Sequence, residues 1–193
     1  MIIQFMSKAL KSDNPVYNKN TIEFVAVAKS FCDYMDQLET TDKAGFLDTT
    51  TRLLPLLYLK ASLLPVNELL SDDEPEMFAS EEQYSDLAQA IAALLGHDDA
   101  YLEVFHPDIR YSDTPVATFV SENLADIWQD LFNFISVFRI GYDDTMNDAL
   151  FVCRTNFEQF WGQSLVNVLR ALHNCKYAAA QDDVLSMEEE DFE

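Results

Sequence analysis

An all-α fold, a single-domain antiparallel bundle of about five to six helices, is what this sequence predicts, and three observations carry the prediction. Apolar residues recur at alternating three- and four-residue spacing over long stretches, the period of a helix with one buried face. No run alternates apolar and polar residues as a strand would, and no hairpin dipeptide separates two apolar runs. Only four glycines occur in 193 residues, well below the ~7% usual in proteins, whereas sheet turns and phosphate-cradling loops consume glycine. The length fits one domain. An apolar content of 49% is enough to offset the ordering entropy of folding. The divisions expected are an N-terminal arm at 1–19, a helical bundle domain at 20–177 and a disordered acidic tail at 178–193.

Asn20 can cap the first helix, with Glu23 at the capping-box position and Phe24, Ala28, Phe31, Met35 and Leu38 as its seam. A second helix runs from Asp42 to Leu64 through TRLLPLLYLKASLLP, where Pro55 lacks an amide proton and should kink or divide it. The acidic NELLSDDEPEMFAS reads as a loop. Ser80 and Gln83 form a capping box for a third helix, with Tyr84, Leu87, Ala88, Ile91, Leu94 and Leu95 inward and Gly96 at its end. After a short amphipathic piece at Ala100 to Phe105, Thr114 and Pro115 suit a cap and first turn. The helix they begin would bury Leu124, Ile127, Trp128, Leu131, Ile135 and Phe138 and stop at Gly141. Asp143 and Asp144 then favour the start of a last long helix reaching about Tyr177. Within it, Phe157, Phe160, Trp161, Leu165, Val168 and Leu172 form one apolar stripe. Seven acids in the final twelve residues argue for an unstructured end.

The formal charge is −22, and it is unevenly placed: residues 1–60 hold seven acids and seven bases, and no Lys or Arg lies between Lys60 and Arg110. Such a field repels phosphate backbones and anionic lipid, so direct nucleic-acid or membrane binding is not expected. Three scattered cysteines form neither a disulfide framework nor a metal knuckle. With no signal-peptide core and no apolar run of ~20 residues, a cytoplasmic protein is expected.

Catalytic motifs are incomplete. His97-Asp98 resembles the dyad of a helical phosphohydrolase superfamily, yet no histidine precedes residue 97 to complete it. Asp33, Asp36 and Glu39 share one helix face, Glu122, Asp126 and Asp130 a second, and Asp144 and Asp148 a third, the spacing by which carboxylates could gather a hard cation. Asp126, Asp130, Asp144 and Asp148 are the residues that a metal-dependent hydrolase of nucleotides or related phosphates would use. WGQSLV lacks the second glycine of a nucleophile elbow. Arg154, Arg170 and His173 are candidate anion or ligand contacts, because each is a rare base in an acid-rich half.

Three segments, LLPLLYLKASLLP, FVAVAKSFCDYMDQLE and NFEQFWGQSLVNVLRALH, together resemble a bacterial helical family known only as domain of unknown function 5063. Trp161, Gly162, Leu169, Arg170, Ala171, Leu172 and His173 match its aromatic-Trp-Gly element and its Leu-Arg-Ala-Leu-His ending. Where histidine is common in that family, this chain has Phe160 and Ser164. The resemblance implies an all-helical fold and carries no activity.

The expected role is that of a protein-binding or accessory module, without a cofactor, whose acidic surface docks an unknown and basic protein partner. Asp72, Asp73, Glu74 and Glu76 are the expected contact residues. The metal-dependent hydrolase is one alternative, and an acidic mimic of nucleic acid is another.

Overall fold

The computed structural model describes residues 14–71, 76–103 and 116–190. Helix α1 (Lys19–Met35) is capped by Asn18, whose side chain accepts the Asn20 amide, so the cap falls two residues earlier than expected. Glu23 is not part of a capping box; its carboxylate takes Lys60 at 2.7 Å from the next helix. Upstream, a short turn at Pro15–Tyr17 buries Val16 and Tyr17 against Met146. The end of the expected arm is therefore anchored on the bundle.

Helix α2 (Lys43–Ala61) begins at Asp42, which accepts the Gly45 amide. Pro55 lies inside it without dividing it and sits on an exposed face. Helix α3 (Glu81–Leu95) carries both halves of the Ser80–Gln83 capping box and ends at Gly96, whose φ of 62° is costly for any residue with a Cβ.

The main departure from expectation follows. Ala100–Glu103 (β1) and Val116–Phe119 (β2) pair as a two-stranded antiparallel ribbon with Ala100 opposite Phe119. Thr114 and Pro115 lie outside the described residues, and helix α4 (Val120–Ile140) starts five residues after Pro115. Val-Ala-Thr-Phe is rich in the β-branched and aromatic residues that favour strands, and pairing with β1 gives alternate residues backbone partners.

Helix α4 is the centre of the bundle, packed by α1, by α3, by α5 (Asp143–Asn156) and by the last helix. Leu124, Ile127, Trp128, Leu131 and Ile135 are buried as the periodicity requires, and Phe134 and Val137 join them on a second side. Gly141, with φ of 85°, ends it.

A π turn at Phe157–Trp161 links α5 to α6 (Gly162–Glu190). The wider π spacing rotates Phe160 out of the stripe: it is 63% exposed, while Phe157, Trp161, Leu165, Val168 and Leu172 are buried. Helix α6 also continues past Tyr177 to Glu190, through a segment rich in Ala, Gln, Leu, Met and Glu, all good helix formers. Among the described residues no helix is long and apolar enough to cross a membrane.

Candidate functional site

Between α2 and α3, residues 62–71 and 76–80 lie on the bundle as a strap with no helix or strand. Polar side chains of α4 and α5 hold its backbone from beneath. The Asp148 carboxylate accepts the amides of Leu70 at 2.8 Å and Ser71 at 3.0 Å, and Asn133 Oδ1 accepts those of Phe78 at 2.7 Å and Ala79 at 2.8 Å. Asn67 donates to the Asn147 carbonyl, and Asn147 donates back to the carbonyl of Glu68. Held this way, the strap sinks Leu64 and Asn67 and presents Val66 (82% exposed), Leu70 (62%) and Met77 (67%) to solvent. Glu68 and Glu76 are exposed beside them, as are Glu81, Glu82 and Asp86 on α3. Of the four acids expected to contact a partner, Glu76 is thus on the surface, while Asp72, Asp73 and Glu74 lie outside the described residues.

The carboxylates expected to gather a metal do other work. Asp126 accepts the Tyr84 hydroxyl at 2.9 Å, Asp130 accepts the Asn156 amide at 2.7 Å, and Asp148 holds the strap. Asp144 is exposed at the start of α5. Among the described residues no three His, Cys, Asp or Glu side chains converge on a point where a cation could sit. Cys32, Cys153 and Cys175 are free, and burial pushes all three thiols up, away from the reactive thiolate. His97 is exposed at the turn after α3, and its neighbour Asp98 pairs with Lys43, which holds that carboxyl below its usual range.

Asp130 lines a cavity of about 210 Å³ beneath Met77, together with Asn133 and Asn156. Burial, outweighing the hydrogen bond from Asn156 and reinforced by Asp126, raises its carboxyl above the usual range. The folded state then holds this proton more tightly than the unfolded chain, so stability falls as pH climbs from the ordinary carboxylate value through the raised one. Asp130→Asn keeps the acceptor for Asn156 and buries no charge. Its melting temperature should exceed wild type by a few degrees at neutral pH and match it below the window, where Asp130 is already protonated. A lower value at neutral pH would show that the bundle needs the anion.

The sequence-predicted bases part company. Arg154 pairs with Glu158 at 2.8 Å and lies over the Phe151 ring, and it does not line the cavity beneath Met77. Arg170 and His173 share a groove of about 580 Å³ between α2 and α6, and Arg52 and Lys176 line it with them. Arg52 belongs to the balanced part of the chain and lies far from Lys176, so nothing local in the sequence joins the two. Only their common place beside Asp48, 2.7 Å from Arg52 and 3.0 Å from Lys176, unites them. Lys176 holds the Asp48 carboxyl below its usual range.

No curated protein matches the chain. Among solved structures, protein BF1032 from Bacteroides fragilis is similar at 44% identity with a TM-score of 0.75, covering 84% of this chain and 96% of that one. The family model described as domain of unknown function DUF5063 matches residues 15–178, from the buried Val16–Tyr17 turn to the groove on α6. The chain belongs to the DUF5063 family.

Proposed function

We propose that this protein is a binding module that docks a basic, partly apolar segment of another protein on its strap and the neighbouring α3 surface, in a reducing compartment such as the cytoplasm. The observation that supports it is the strap itself. Its backbone is fastened to the bundle at Leu70, Ser71, Phe78 and Ala79, yet Val66, Leu70 and Met77 face water, and Glu68 and Glu76 on the strap and Glu81 and Glu82 on α3 are exposed as well. A fastened segment could bury those apolar side chains inward at little cost; turning them out among carboxylates suits a partner offering both apolar contact and positive charge. No Lys or Arg lies between Lys60 and Arg110, so the strap and α3 carry no basic residue of either kind of their own.

The test begins with a partner captured from cell extract, identified and repurified. Its affinity should fall by about tenfold or more when Asp72, Asp73, Glu74 and Glu76 become Asn or Gln, and again when salt is raised. Val66→Ser with Leu70→Ser should weaken it with little salt dependence. An affinity indifferent to both sets of variants would overturn the proposal, as would an acidic partner surface.

A further inference from the structure

The groove between α2 and α6 concentrates positive charge in a chain of net charge −22. Three permanent cations, Arg52, Arg170 and Lys176, face it, with His173 beside them. The carboxylate fixed among them is Asp48, which Arg52 and Lys176 already share. Arg170 makes no ion pair or hydrogen bond among the described residues, so its guanidinium keeps its donors for something else. The acids elsewhere on the surface do not cancel this local excess, because exposed charges beyond about 8 Å are largely screened at physiological salt.

The rest of the lining is not that of a bare anion site. Pro55, Val166 and Leu169 form an apolar wall. At one side the His173 and Tyr177 rings lie 4.7 Å apart, and Lys176 stands 5.4 Å from the centre of the Tyr177 ring. Pro55 has no amide hydrogen, so the Thr51 carbonyl on the same wall lacks the usual donor from four residues on. The groove therefore offers guanidinium and ammonium donors and a flat aromatic face, in a volume within the ~300–1,000 Å³ of small-molecule sites.

We infer that this groove binds a phosphorylated small molecule carrying a flat ring, of the nucleoside diphosphate kind. Its phosphates meet Arg52, Arg170 and Lys176, and its ring lies against Tyr177 and His173. The site stands apart from the docking surface proposed above and does not depend on it.

Isothermal titration of the full chain with ADP, with pyrophosphate and with adenosine tests the assignment. ADP should bind saturably with a Kd below about 1 mM, and Arg170→Gln and Arg52→Gln should each weaken it by about tenfold. Lys29→Gln, an exposed cation on α1, should leave it unchanged. Arg52 and Arg170 are both exposed, so the ligand-free melting temperatures of these variants should stay near wild type. No saturable binding of ADP or pyrophosphate at millimolar concentration overturns the proposal, and so does binding that ignores both arginine variants. Pyrophosphate binding as tightly as ADP, with Tyr177→Ala without effect, overturns the ring contact.

Discussion

Trp161→Ala is expected to lower the stability of the fold by about 3–5 kcal/mol, the range for emptying a large buried aromatic site. The indole is 1% exposed, stands 4.7 Å from the Phe157 ring and donates from Nε1 to the Cys153 carbonyl at 3.3 Å. Its removal leaves a cavity where α5 turns into α6, next to the central helix α4. The neighbouring Phe157 ring belongs to the π turn itself, and the backbone restrains its collapse into the gap. Denaturant unfolding measures the loss directly. A well-expressed variant with a wild-type midpoint would mean that Trp161 is not part of the core.

Gly162→Ala should also destabilise, against the sign that helix propensity gives. In a helix interior alanine is favoured over glycine by about 1 kcal/mol. Here a Cβ would lie 2.4 Å from the Phe157 carbonyl oxygen and 2.9 Å from two carbons of the Phe157 ring. The carbonyl accepts the Gly162 amide, so it cannot retreat without undoing the turn. Overpacking against backbone outweighs propensity, and a net loss of about 2 kcal/mol is expected. A stabilised Gly162→Ala would show that the π turn relaxes to an ordinary α turn.

Much of this architecture was legible in the sequence because helical burial repeats locally. Phe24, Ala28, Phe31 and Met35 announce α1, and the Ser80–Gln83 box and Gly96 bound α3 within the residues that form it. The β ribbon was not legible: its strands are four residues each, too short for alternation to stand out. The π turn hides for a related reason, since one widened turn displaces a single residue, Phe160, from a stripe that otherwise keeps its period. Of the candidate site, Arg170 and His173 could be singled out because bases are scarce near them. What Asp148 and Asn133 do could not be. Asp148 reads as one of a spaced pair of carboxylates and Asn133 as one more polar residue on a helix, whereas the role of each lies in reaching backbone amides more than fifty residues away in the chain.

Those two side chains change what kind of binding surface the strap can be. An unfastened acidic loop would lose conformational freedom each time a partner arrived, and that loss would be subtracted from every contact made. Here Asp148 and Asn133 have already immobilised the peptide groups of Leu70, Ser71, Phe78 and Ala79 during folding. A partner docking there as proposed would meet a preorganised face over these residues and lose mainly rotamer freedom of their exposed side chains. Mutations beneath the strap would accordingly raise the entropic cost of recognition without touching one atom of the contact surface.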